Sequence, residues 1–261
     1  MNDKRRRPMN SAPAEEIEGQ LEGRNALTEA LRSGRTIDKV FIASGETDKA
    51  LQRLAAQAKE AGAVVVPVDR RKLDAMSVTR AHQGVIALAA AHEYATIDDI
   101  LEEAAQRGEN ALLVICDELT DPHNLGAIMR SAECAGAHGV IIPKRRSVGL
   151  TATVAKASAG AVEYMKVARV NNINNAIAEL KEKGVWIFGT AAEGSIPMYK
   201  ADLTGPTAVV IGNEGEGMSP LVRKNCDVTV HIPMKGRISS LNASAAASIL
   251  LYEAVRQRLN G

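Results

Sequence analysis

The chain has 261 residues, 46% hydrophobic and 24% charged, an ordinary globular composition that allows one large or two modest domains and argues against a mostly disordered protein. Its net charge of +1 provides no bulk attraction to nucleic acid, and with 3% aromatic residues it lacks the side chains for an extended base-stacking surface. No apolar run approaches the ~20 residues that span a bilayer, so no membrane segment is expected. Cys116, Cys134 and Cys226 are widely spaced, suit a reducing cytosol and form no metal-ligand pattern.

Residues 1–16 mix Lys, Arg, Pro, Ser and Glu without hydrophobic period, so a disordered basic arm is expected there. No apolar core follows Lys4-Arg5-Arg6-Arg7, so this is not a secretory signal. Structure is expected from Ile17. GRNALTEAL has the pattern of a helix, KVFIAS of a strand, ALQRLAAQAKEAG of a helix closed by Gly62 at its C′ position, AVVVPV of a second strand and HQGVIALAA of a third. Residues 17–92 thus make a small α/β domain, and the aperiodic AHEYATIDD puts a linker at 91–96. Arg70-Arg71-Lys72 and Lys144-Arg145-Arg146, taken singly, are solvated loops.

From Ile97 to Gly261 strand and helix patterns alternate. ALLVICDEL is a continuous apolar strand of the kind covered on both faces. LGAIMRSAECA, stopped by Gly136, is a helix, and GVIIP a strand. TATVAKASAG, YMKVARV, NINNAIAELKEKG and VWIFGT continue the alternation. TAVVIG, a short helix capped by Ser219 with Pro220 at N1, VTVHIP and a last helix from about Leu241 complete it. Such alternation implies a parallel sheet wrapped by helices, with ligands bound beyond the carboxyl ends of its strands.

Three post-strand segments are unusual. In DPHNLGAIMR, Asn124 is expected to cap the helix. Arg130 lies on a helix that Ile128, Met129, Ala132 and Cys134 suggest is buried on much of its circumference, where an arginine needs a carboxylate or phosphate partner. IGNEGEGMSP has three glycines in a strand-to-helix turn, spaced neither as a dinucleotide fingerprint nor as a P-loop. Glu214 and Glu216 within it would repel a pyrophosphate, so a cationic or neutral ligand fits better, the alternative being a tight turn with solvated acids. IPMKGRISSLNASAAASILLYE enters the last helix through small side chains that permit close backbone approach, and Leu251, Val255 and Leu259 recur as a packing stripe.

Together NLGAIMRSAECAGAHGVII, VVIGNEGEGMS and IPMKGRISSLNASAAASILLYE resemble, in order, the three signatures of the SpoU/TrmH class of RNA ribose 2′-O-methyltransferases, within the knotted SPOUT superfamily. The departure is NASAAA where the class often carries NVSVA. The resemblance covers residues 97–261, and residues 17–92 are similar to the small ribosomal-protein-like substrate domain of the subgroup acting on large-subunit ribosomal RNA. It implies an α/β fold: a parallel-sheet SPOUT methyltransferase domain with a C-terminal trefoil knot, preceded by a small α/β RNA substrate-binding domain. It also implies S-adenosylmethionine as cofactor, no metal, a cytoplasmic homodimer joined through the methyltransferase domain, and RNA as substrate, with a guanosine of 23S ribosomal RNA the expected target.

By the same resemblance Thr190, Gly212, Ile232 and Leu241 line the cofactor pocket, while Arg130, Asn124, Glu214, Ser240 and Asn242 form the catalytic group. A guanidinium does not lose its proton in a protein, so Arg130 is expected to bind the phosphate beside the target ribose and stabilise developing alkoxide. Glu214 is expected to orient Arg130 or Asn124, while Asn124, Ser240 and Asn242 hold the ribose. His123 is expected to be a loop residue. Transfer RNA or adenosine-directed substrates, a non-catalytic RNA-binding or ribosome-assembly factor, and a nucleotide-dependent oxidoreductase are the rival readings, the last disfavoured by the missing dinucleotide fingerprint.

Overall fold

The structure, a computed structural model, describes residues 19–45, 48–191 and 195–260. The expected basic arm at 1–16 lies outside them. The chain divides into two compact units, one ending at Ala89 and the other beginning at Ala90.

In the first unit β1 (Gln20–Glu22), α1 (Arg24–Arg32), β2 (Ile37–Ala43), α2 (Lys49–Glu60), β3 (Val64–Val68), α3 (Arg70–Met76) and β4 (Val85–Ala89) follow one another. The sheet has the order β1-β4-β2-β3, parallel only between β2 and β3. Gly62 ends α2 at φ 89, the left-handed conformation its C′ position requires. Two elements escape the sequence pattern. β1 is three residues long, and Arg70-Arg71-Lys72, expected in a loop, opens α3 under an Asp69 cap that accepts from the Arg71 N–H at 2.8 Å. His82 precedes β4 rather than joining it, and is buried with Nε2 2.9 Å from Asp74 and Nδ1 accepting from the Gly84 N–H.

In the second unit α4 (Ile97–Gln106), β5 (Leu112–Cys116), α5 (Pro122–Cys134), β6 (Gly139–Pro143), α6 (Ala152–Ala157) and β7 (Lys166–Val170) come first. There follow α7 (Ile173–Glu182), β8 (Trp186–Thr190), β9 (Ile196–Pro197), β10 (Thr207–Ile211), α8 (Pro220–Asn225), β11 (Val228–His231) and α9 (Ala243–Asn260). The sheet runs β7-β6-β5-β10-β8-β11-β9 and every pairing is parallel, so all strand C-termini share one edge. Ala91 and Ala95, in the stretch expected to be a linker, donate to Leu150 and Val167 of this unit.

Strands β5, β6 and β10 are buried at every residue, which is why they are continuous apolar runs. Alternate residues face opposite layers. Leu112, Val114 and Cys116 pack with α5, α6 and α9, while Leu113 and Ile115 pack with α4, α7 and α8. A Cβ on Gly126 would lie 2.5 Å from that of Ala157, so glycine allows α5 and α6 to touch. The C-terminus of α9 is tied down by Arg258, which donates to the carbonyls of Leu203, Gly205, Asn110 and Ala111 at 2.6–3.1 Å. The expected stripe on α9 is split: Leu251 is fully buried and Leu259 is 80% exposed, because the core ends before the last turn.

Candidate active site

Because the sheet is parallel, the segments after β8, β10 and β11 meet at one edge, and there, with the start of α9, they enclose a cavity of about 790 Å³. That lies within the roughly 300–1,000 Å³ typical of small-molecule sites. Its floor is apolar, from Ile211, Met218, Val230 and Leu250, and its rim polar, from Glu214, Ser239 and Ser240. All four residues expected to hold a cofactor, Thr190, Gly212, Ile232 and Leu241, line it.

The glycine loop that forms one wall is cross-linked by hydrogen bonds. Asn213 and Gly217 exchange backbone hydrogen bonds at 3.0 and 2.9 Å, the Asn213 Oδ1 accepts from the Gly215 N–H, and its Nδ2 donates to the Glu118 carbonyl at 3.0 Å. A Cβ on Gly212 would stand 2.2 Å from the Gly217 carbonyl carbon and the Met218 nitrogen, so the turn closes only over a glycine. Asp117, buried at the end of β5, donates its N–H to the Ile211 carbonyl and accepts the Ser219 N–H at 2.7 Å. Ser219 does cap α8, but its side chain makes no capping bond.

Helix α5 is capped by Asp121, not Asn124. The Asp121 carboxylate accepts from the His123 N–H at 2.9 Å, with Pro122 at N1, so the helix begins a turn earlier than the apolar pattern indicates. Asn124 is thereby carried inside the helix and is buried. Its Nδ2 donates to Glu214 Oε1 at 2.6 Å and its Oδ1 accepts from Asn242 Nδ2 at 2.8 Å. The Asn242 Oδ1 in turn accepts from the Ser244 N–H at 2.9 Å and the Ala245 N–H at 3.3 Å, capping α9. A single amide chain thus joins the glycine loop, α5 and the start of α9. Ser240 stands beside it on the pocket rim.

Arg130 departs from expectation. It is exposed, lines no part of the cavity, and makes no hydrogen bond or ion pair with a described residue. Cys134 is exposed too, because α5 buries only the side bearing Asn124, Leu125, Ile128, Met129 and Ala132. His123, expected in a loop, lies instead in the first turn of α5, because Asp121 starts the helix early, and it is exposed. Glu214 engages Asn124 rather than Arg130. Sequence reasoning missed Asp117 and Asn213, whose signal was their position within two residues of a strand's end, and His231 of the pocket wall, whose Nδ1 lies 2.9 Å from Ser195 Oγ.

Cysteine nucleophiles have no place here. Burial pushes the Cys116 thiol up to about 12, with Asp117 and Glu214 adding to the effect, and burial likewise pushes Cys226 up to about 11. Among the described residues no three His, Cys, Asp or Glu side chains cluster as a metal site.

Residues 111–252 match the family model described as the SpoU rRNA Methylase family, and residues 20–95 match that described as RNA 2′-O ribose methyltransferase substrate binding. The chain belongs to the SpoU rRNA methylase family. It is an S-adenosylmethionine-dependent RNA 2′-O-ribose methyltransferase. It is 48% identical over 236 residues to YacO of Bacillus subtilis (strain 168), provisionally named a TrmH family tRNA/rRNA methyltransferase, across 90% of this chain and 94% of that one. The SpoU methyltransferase AviRb of Streptomyces viridochromogenes, solved in complex with AdoMet, matches 93% of this chain and 91% of its own at TM-score 0.58 and 29% identity. The A. aeolicus TrmH/SpoU tRNA modifying enzyme matches 62% of this chain and 85% of its own at TM-score 0.53 and 30% identity.

The cavity of this SpoU-family chain suits the cofactor by its own chemistry. The backbone groups of Ile232 and Leu241 bond to no other described residue, leaving donors and acceptors at the lining. Glu214 and Glu216 in the lining would supply negative charge suited to a cationic sulfonium ligand.

Proposed function

We propose that this enzyme methylates the 2′-hydroxyl of a guanosine in 23S ribosomal RNA, as the methyltransferase RlmB does, with residues 17–92 holding the RNA and residues 97–261 carrying the chemistry. The observation that carries the reading is the convergence of Asn124 and Asn242, through hydrogen bonds of 2.6 and 2.8 Å, on Glu214 of the cavity lining. The match of residues 20–95 to a family described as RNA 2′-O ribose methyltransferase substrate binding supports RNA as the substrate of this unit.

When bound, S-adenosylmethionine supplies an electrophilic methyl group on a sulfonium. The chain's part is positioning and charge. Glu214 fixes the Asn124 amide, and Asn124 in turn fixes Asn242 and the entry to α9. Both amides are heavily engaged, so their role is to set the rim on which Ser240 meets the ribose. Arg130, an exposed cation, binds the phosphate beside the target ribose and steadies the developing alkoxide, the proton leaving to phosphate, water or a nearby carboxylate.

A homodimer in the cytoplasm completes the reading. Ala245, Tyr252 and Leu259 recur every seven residues on one exposed stripe of α9, with Tyr252 51% and Leu259 80% exposed. No helix among the described residues is long and apolar enough to cross a membrane.

Titration calorimetry with S-adenosylmethionine and ribose-methylation mapping of RNA from a strain lacking the protein test this directly. Binding heat and one missing 2′-O-methylguanosine in 23S ribosomal RNA are expected. Absence of heat points to a pure RNA binder, and a missing methyl group in transfer RNA moves the substrate.

A further inference from the structure

The loop Lys144-Arg145-Arg146-Ser147 follows β6 at the same sheet edge as the cavity, one strand beyond β5. It is pinned to the site. Arg146 donates to the Glu118 carboxylate at 3.0 Å, the Ser147 hydroxyl donates to the Leu119 carbonyl at 2.9 Å, and the Val148 N–H donates to the same carbonyl at 3.0 Å. Glu118 passes the connection on, because its own carbonyl accepts Asn213 Nδ2 from the glycine loop. Arg146 and Glu118 both adopt left-handed backbone, at φ 56 and 57, a conformation unfavourable to side-chain-bearing residues and maintained here at the contact between them.

This anchoring leaves two cations unused. Neither the Lys144 ammonium nor the Arg145 guanidinium has a hydrogen-bond or ion-pair partner among the described residues, and Arg145 is exposed. The exposed Arg146–Glu118 pair contributes little stability, so its consequence is geometric. The cavity rim itself carries Glu214 and Glu216, which repel phosphate. The negative backbone of a bound polynucleotide must therefore be attracted outside the cavity, and this loop offers positive charge on the same sheet edge, two strands from β10.

We propose that Lys144 and Arg145 are a phosphate-docking platform for the RNA strand flanking the target ribose, held in register with the cavity by the Arg146–Glu118–Asn213 chain. The proposal rests on the RNA methyltransferase reading above.

The test compares the wild-type full chain with Lys144→Gln/Arg145→Gln and with the charge-preserving Lys144→Arg/Arg145→Lys, using total ribosomal RNA from a strain lacking the protein. Each lost phosphate contact on a single strand lowers the slope of log affinity against log salt by roughly 0.7, so the glutamine variant is expected to be shallower by about 1.4. Its KM for RNA rises about tenfold, while kcat at saturating RNA stays within twofold, cofactor binding heat is unchanged, and the charge-preserving variant behaves as wild type. An unchanged slope, or a fall in kcat at constant KM, overturns the platform and leaves the methyltransferase reading standing. A wild-type chain that transfers no methyl group to any RNA overturns both.

Discussion

The Nδ2 of Asn124 donates to Oε1 of Glu214 at 2.6 Å, across ninety residues of sequence. This contact, with that of Asn242 on the other end of the same amide, makes Asn124 the junction between the glycine loop and α9. Asn124→Ala is expected to cost about 1 kcal/mol, because the two hydrogen bonds of a buried amide are lost while the exposed Glu214 and Asn242 can turn to water. Asn124→Asp sets a second carboxylate against Glu214, so it is expected to lose both stability and turnover. Adding Glu214→Gln restores an amide–carboxylate pair. Thermal unfolding and methyl transfer for the single and double variants decide this, and a double variant no better than the single one counts against the junction.

Gly212 and Gly215 belong to one loop but differ in space. A Cβ at Gly212 meets backbone at 2.2 Å, whereas one at Gly215 meets nothing nearer than Asn213 Oδ1 at 3.5 Å. Gly212→Ala should abolish cofactor heat in calorimetry and Gly215→Ala should retain it. Equal behaviour of the two contradicts the packing argument.

Arg130→Ala is expected to abolish methyl transfer while altering stability by no more than about 0.5 kcal/mol, since the side chain is exposed and unpaired in the described structure. Cofactor affinity should be unaffected, because Arg130 does not line the cavity. Retained turnover removes Arg130 from the reaction.

Arg258→Ala removes a cation that serves four backbone carbonyls from the segments preceding β5 and β10. A loss of about 3 kcal/mol is expected, given that hydrogen bonds to charged groups contribute more than neutral ones. Arg258→Lys keeps the charge but not the fork and should recover only part of the loss in denaturant titration.

Acid should weaken the first unit through Glu22. Burial alone would raise this carboxyl, but hydrogen bonds from Ser77, Thr79, the Val78 backbone and Gln20 override it and hold it at about 2, against the ordinary 4.5 of a glutamate in water. The folded form therefore prefers the carboxylate. Its stabilising effect is complete above 4.5 and declines as pH falls from there toward 2. Glu22→Gln should lower stability at neutral pH and flatten the melting temperature between pH 5 and 3; parallel curves for the two proteins refute the assignment.

Strand positions followed from local apolar runs and Gly62, Gly136 and Pro220 from local punctuation, so the order of elements in both units could be read in advance. Short β1, the basic start of α3, helix α4 and the two-residue β9 are not among the expected elements, β1 and β9 being too short to show an apolar period. At the site, every residue expected to line the cavity does so, and Arg130, expected in a buried setting, does not.

The sequence by itself determined that the second unit is a parallel α/β sheet with three unusual segments at strand ends, since period and turn chemistry act over a few residues and parallel strands send their ends to one edge. Only the tertiary structure decided that Asp121 rather than Asn124 caps α5, that both amide ends of Asn124 are occupied, and that Arg130 and Leu259 face outward. Those outcomes depend on which distant segments pack against a helix face, and a hydrogen bond between residues ninety positions apart leaves no trace in local pattern.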